Sequence, residues 1–433
     1  MKLNYRLTIL IGFGFMSILA FWQFYDQVIP YMLEYTFKLG TFSANTIMSI
    51  DNVLAIFMLP LFGALSDKTR TPLGKRTPYV LIGTIFAVIL MMFLSFFQRR
   101  IMFWGFFITL FLLLVVMATY RTPAVAYMPD VTPKPMRSKA NAIINLVGYI
   151  GGIFATVVMM LLLKSRKSDS GEVIYYESSF FPVFVVISVF MLLSVLVMVF
   201  TVKENKVVAA ANIQDDTQQT VKINGKIRPD VLKSLILILI SVFLWFMSYN
   251  AVTTAFSRYC VQVWKTDLSV SSSYLLVATI SAIIAFVPLG FISSRLGRKK
   301  SVLLGIVLMT VCYFIAIFIR HQTPIMYAIF GLVGIGWASI NVNSFPMVVE
   351  MSTGSDIGKY TGYYYTFSMA AQITTPLLSG FLIEKAGLGY NILFPYAVFF
   401  SIFSFITMLF VKHGDCKPEM KGAAFEALTS EVD

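Results

Sequence analysis

Three charged side chains stand where charge is costly. Asp26, Asp51 and Arg121 each interrupt a long apolar run, and a charge near the centre of a bilayer costs roughly 2.5 kcal/mol or more unless it is paired or wetted. Two carboxylates facing one cavity can hold a proton between them or share a bound Na⁺. A guanidinium can grip a substrate hydroxyl or carboxylate, or pair with an acid such as Asp130 at one end of its helix. Amides form a second group: Asn145, Asn250, Asn341, Asn343 and Gln372, joined by Tyr249. An amide donates and accepts at once, as a polyhydroxylated ligand requires. Equally, a buried amide serves to bond one helix to another. Trp22, Trp245 and Trp337 offer apolar faces for sugar rings, although aromatic residues in such runs mostly pack.

The elements that must position these groups follow from composition. Of 433 residues, 58% are hydrophobic and 13% charged, with mean hydropathy +0.79. Soluble domains are about 45–50% apolar and about 25% charged, so a soluble enzyme is excluded. Twelve apolar runs of spanning length fall at 7–33, 43–65, 78–97, 101–128, 140–163, 180–202, 232–257, 269–294, 300–319, 324–349, 361–383 and 390–411. The expected fold is an all-α polytopic membrane protein of twelve transmembrane helices. An N-terminal six-helix bundle (1–202) and a C-terminal one (231–411) are joined by a polar central loop (203–230) and followed by a polar tail (412–433). The first run, preceded by Lys2 and Arg6, has no small-residue cleavage site and reads as an anchor.

Basic residues orient the chain. With the N-terminus inside, 23 of the 34 Lys and Arg lie on cytoplasmic segments and 10 on outer ones, which places both termini in the cytoplasm of a plasma-membrane protein. The net charge of +13 is then a topological bias and calls for no nucleic-acid partner. With helix one rising and helix two descending, Asp26 and Asp51 lie about 9 Å and about 4 Å to the outer side of the midplane. The two halves also echo each other. Gly63-x3-Asp67 and Gly74-Lys75-Arg76 correspond to Gly290-x3-Ser294 and Gly297-Arg298-Lys299, Asp130 corresponds to Glu350, and Asp26 to Asn250. A repeated shift of this kind marks a duplicated six-helix unit.

The stretch Gly63 to Arg76 and its weaker copy after the eighth run resemble the signature loop of the major facilitator superfamily. The extended form Asp67-Lys68-Thr69-Arg70-Thr71-Pro72-Leu73-Gly74-Lys75-Arg76-Thr77-Pro78-Tyr79 is similar to that of the glycoside, pentoside and hexuronide cation symporters and of sucrose-transporter-like proteins. So is Tyr120-Arg121-Thr122-Pro123 through Asp130, with Arg137-Ser138-Lys139-Ala140-Asn141 beyond. The resemblance implies a major facilitator fold and a cytoplasmic gate built from Gly63, Asp67, Gly74, Lys75, Arg76, Asp130, Arg137, Arg295, Arg298 and Glu350. It departs at Arg121, Ala55 and Leu59, where melibiose-permease-like members carry acids. Those departures favour proton coupling over a sodium site.

The expected function is secondary active transport: proton-coupled, or alternatively Na⁺-coupled, symport of a sugar such as a glycoside or oligosaccharide. Asp26 and Asp51 would carry the ion, and Arg121, Asn145, Tyr249, Asn250, Asn341, Asn343 and Gln372 would bind a neutral solute. No cofactor or metal centre is expected, and the partners are the solute and the bilayer around a monomer. A drug or metabolite antiporter of the same superfamily would show more aromatic cavity walls and fewer amides. A non-transporting sensor is a third class. An enzyme is not expected: His321 and His413 are far apart, no G-x-S-x-G, H-E-x-x-H or Walker pattern is present, and Cys260, Cys312 and Cys416 are isolated packing residues.

Overall fold

The computed structural model describes residues 3–163, 165–167, 173–175, 180–212, 222–223, 226–266, 268–352 and 355–415. Its helices are α1 (Tyr5–Tyr31), α2 (Thr41–Met48), α3 (Ile50–Lys68), α4 (Thr77–Arg99), α5 (Phe103–Val131), α6 (Arg137–Leu162), α7 (Phe180–Thr201), α8 (Glu204–Asn212), α9 (Pro229–Tyr259), α10 (Leu268–Leu296), α11 (Arg298–Ile317), α12 (Ile325–Glu350), α13 (Ile357–Gly380) and α14 (Leu393–Leu409). Twelve helical segments are long and apolar enough to cross a bilayer, and they coincide with the twelve apolar runs. Span two is the continuation of α2 into α3, and α8 lies between the sixth and seventh spans. We call the side bearing the start of α1 the terminal face and the opposite side the far face.

Phe57, Phe86, Met160, Phe200, Ile284, Phe314 and Leu377 are exposed on the outside of the bundle, as a hydrocarbon solvent allows. Inside, helices approach through small residues, because apolar solvent gives packing no hydrophobic advantage. One of the tight crossings joins the halves. A Cβ at Gly63 of α3 would meet the carbonyl of Gly358 in α13, and one at Gly362 would meet Pro60. The halves also meet where α6 packs on α10. Spans two, four, eight and ten each carry an internal proline, Pro60, Pro123, Pro288 and Pro346 among them.

Two details add to the all-α fold. Short hairpins lie in connecting segments: β1 (Ser165–Lys167) pairs with β2 (Val173–Tyr175) in the far-face loop before α7, and β3 (Lys222–Ile223) pairs with β4 (Lys226–Ile227) between the halves. The linking segment also carries a helix, because α8 begins three residues after α7 ends. Its Glu204 is 1% exposed and docked on the first half. The Gln214 to Gln219 stretch, Cys416 and the rest of the tail lie outside the described residues. Cys260 and Cys312 are buried free thiols.

Candidate functional site

Asp26 is set by α1, which runs unbroken past it and presents it beside the aromatic group Phe21, Trp22 and Tyr25. Asp51 is set by a helix break. Span two is interrupted at Ser49, and Asp51 falls in the first turn of α3, where the helix dipole favours a negative charge. Both carboxylates line one cavity of about 670 Å³ between the halves, which opens toward the far face beside Ser49, Arg258 and Tyr390. Arg121 of α5 lies at its base, its guanidinium over the rings of Trp22 (5.2 Å) and Tyr365 (5.1 Å). It interacts electrostatically with both carboxylates. The alternative pairing of Arg121 with Asp130 is not made: nine residues separate them along α5, and Asp130 is held instead by Lys75 (2.8 Å) and Arg76 (2.7 Å).

Below this chamber lies a deeper pocket of about 190 Å³, which shares Leu19, Arg121, Met369 and Gln372 with it. Asn145 and Asn341 line the pocket with Asn141, and Trp337, Phe246 and Tyr365 give it aromatic walls. Of the expected solute-binding residues, Arg121, Asn145, Asn341 and Gln372 therefore converge. Tyr249, Asn250 and Asn343 line neither cavity. Tyr249 stacks behind Trp337, with centroids 4.0 Å apart and an interplanar angle of 6°. Asn343 is two residues from Asn341, so helical rotation turns it into the protein, where it is fully buried and donates to the Ser339 carbonyl at 2.8 Å. Asn250 accepts from the Thr253 and Thr254 hydroxyls on its backbone carbonyl (3.2 and 2.7 Å), and its side-chain nitrogen has no partner among the described residues. Of the tryptophans, Trp22 and Trp337 reach the cavities and Trp245 is buried.

The terminal face is sealed. Asp67, at the end of α3, accepts from the Gly358 and Lys359 backbone N–H groups at 2.9 Å each and so caps α13 of the other half. Arg76 is completely buried and joins Asp67 (2.5 Å) to Asp130 (2.7 Å), with a further bond to the Ser66 hydroxyl. Burial opposes its charge, but Asp130 and Asp67 outweigh that and raise the guanidinium pKa above its ordinary value. In the second half Glu350 takes Arg298 (2.9 Å) and, across the halves, Arg137 (3.3 Å). Arg298 also donates across to the Ser138 hydroxyl (3.0 Å) and to the Lys134 carbonyl. Gly74 and Gly297 turn the chain ahead of each arginine with φ of 115° and 96°, a region that favours glycine. Arg295 stands apart: it is exposed and makes no ion pair among the described residues.

A family model described as MFS/sugar transport protein matches residues 10–391. The chain belongs to this family. No curated protein matches it by sequence. Among solved structures, this sugar-transport-family chain is similar to the major facilitator transporter FucP in its outward conformation, with TM-score 0.73, 14% identity and coverage of 94% of this chain and 99% of that one. It is also similar to the proton:xylose symporter XylE, with TM-score 0.66, 14% identity and coverage of 94% and 95%. The human organic anion transporter MFSD10 gives TM-score 0.72, 13% identity and coverage of 95% and 100%. At such identities the likeness is one of fold. The major facilitator fold is thus established, and members of this family are transporters, not enzymes.

Sequence reasoning about this family member passed over three residues. The Glu204 carboxylate accepts from the backbone N–H groups of Lys75 (2.9 Å), Arg76 (2.9 Å) and Thr77 (2.8 Å), and so holds the start of α4. Asp415 does the same for α11 through the Arg298 N–H at 2.7 Å. Their common signal is an acid a few residues past the last span of each half. The third is Asn141, which bridges the halves beneath the pocket and sits in plain view between Arg137 and Asn145 at helical spacing.

Proposed function

We propose that the chain is a secondary active transporter that couples proton entry to symport of a sugar, a glycoside or oligosaccharide, by alternating access. The carrying observation is the junction of two environments in one space. A chamber walled by Asp26, Asp51 and Arg121 opens into an amide- and aromatic-lined pocket, while the terminal face is closed. Together the two spaces reach the size of small-molecule sites, about 300–1,000 Å³. Asp26 and Asp51 carry the ion, with Na⁺ as the alternative, and Arg121, Asn145, Asn341 and Gln372 hold the solute. The proton coupling named for E. coli FucP and for XylE supports this reading. We take the terminal face as cytoplasmic, the membrane as the plasma membrane and the working unit as a monomer, from the distribution of Lys and Arg and from the cavity's lying within one chain.

A second reading, exchange of an organic metabolite or drug, draws on the aromatic share of the pocket wall, Phe15, Tyr149, Phe246, Trp337, Tyr364 and Tyr365. One assay separates the two. Proteoliposomes are given a panel of labelled sugars with pH and Na⁺ gradients imposed independently. Sugar uptake that follows the inward proton gradient is expected, together with sugar-induced proton entry. Absence of sugar-dependent ion movement over a broad panel would remove the symport reading.

A further inference from the structure

The contacts that close the terminal face fall into two layers. At the edge the layer is ionic: Asp67 on the α13 N-terminus, and Arg137 and Arg298 on Glu350. Deeper in, Asn141 is buried and donates from one side-chain nitrogen to two carbonyls of the other half, Asn341 (3.1 Å) and Val342 (3.0 Å). Arg137, Asn141 and Asn145 follow one another at i, i+4 and i+8 along α6, so they share a face and climb about 6 Å per step. Asn145, the highest, lines the solute pocket and donates to the Asn141 carbonyl (2.8 Å) and to its side-chain oxygen (3.2 Å). Across the gap, the Asn341 side chain lines the same pocket from the helix whose carbonyls Asn141 grips.

We propose that Asn141 is an uncharged inner latch, a positioning residue that holds the terminal face closed directly under the solute pocket. This rests on the alternating-access reading above and goes beyond it in assigning this interdomain hydrogen bond to closure. The Val342 carbonyl loses its i+4 helical donor because residue 346 is proline, and Asn141 supplies a donor in its place, so the bond is made where the helix of the other half leaves an acceptor open. The Asn141 oxygen is shared with Asn145, so a solute hydroxyl that engages Asn145 competes with the bond that steadies the latch. A neutral latch is also indifferent to the ionic layer, and the two can open in sequence.

The test uses full-length protein with Cys260, Cys312 and Cys416 replaced, in liposomes, and needs no identified solute. One reporter is Ala142→Cys, on a residue that packs against Gly290 of α10 and is sealed while the terminal face is closed. The other is Thr254→Cys, exposed in the far-face chamber. Each is labelled with an impermeant maleimide. Asn141→Leu, similar in size but without donors, should raise labelling at Ala142→Cys and lower it at Thr254→Cys, the ratio of the two shifting by about fivefold, as loss of roughly one net hydrogen bond implies. Asn141→Gln, which keeps the amide, should return both toward the parent values. If Asn141→Leu does not reach the membrane, Asn141→Ser, too short to span both carbonyls, reads the same shift. Unchanged labelling overturns the latch, and so does a rise at both reporters, which would mean general loosening. Failure of the sugar reading would leave these reciprocal shifts intact and appear only as absent uptake.

Discussion

Asp26 and Asp51 reach one chamber by different routes, and the difference assigns them different work. Asp26 sits on an unbroken helix among aromatic rings, with open access to the chamber, whereas Asp51 rests at a helix start whose dipole steadies its charge. Asp26 is thus the better candidate to gain and lose a proton during turnover. Asp26→Asn is expected to abolish gradient-driven accumulation while leaving counterflow exchange largely intact, measured with the same liposomes. Equal loss of both would move Asp26 to a structural role. At the terminal face, removing one partner of a buried ion pair costs about 3–5 kcal/mol, so replacing Arg76, bound to Asp67 and Asp130, is expected to destabilise the first half by about that much, measured as a lower melting temperature in detergent.

The α3–α13 pair is the element on which closure turns. Backbone meets backbone where Gly63 and Gly358 cross, and the same approach lets Asp67 reach two N–H groups of α13. A side chain at Gly358 has no room to relax, because the obstacle is a carbonyl together with Arg76 and Asp67. Gly358→Leu should therefore keep the two helices apart on the terminal face and slow net uptake at least tenfold, with less effect on far-face solute binding measured in detergent. Wild-type uptake by this variant would mean that the crossing is not tight during turnover. The charged anchors Glu204 and Asp415 act on elements too, since each fixes the start of the helix that carries a gate arginine. The polar central loop expected at 203–230 carries α8 at its start. A helix as short as α8 has too little apolar periodicity to register, and it is held by a carboxylate that finds its partners only in the folded bundle.

At the scale of the whole molecule, two similar halves enclose a cavity open to one side, and alternating access requires that opening to change sides. Spin labels at Met102→Cys and Ile325→Cys, both exposed on the far face of opposite halves, should report one long distance at rest and an added shorter population when a transported solute and protons are supplied. A single unchanged distance under conditions of demonstrated transport would exclude a rocking motion of the halves. Twelve spans, their duplication and the gate motif were legible in sequence, because apolar length and loop charge are local properties that the bilayer reads directly. Which of the seven polar residues named from sequence share one pocket, Arg121, Asn145, Asn341 and Gln372, and which do not, Tyr249, Asn250 and Asn343, was not. A helix rotates each successive residue by about 100°, so neighbours such as Asn341 and Asn343 differ in environment only through the tilt and facing of their helix. Sequence by itself determined a duplicated twelve-span membrane chain with charges inside it. Tertiary structure alone decided which polar groups share a cavity, because cavity walls are assembled from helices far apart in the chain whose rotations are set by packing.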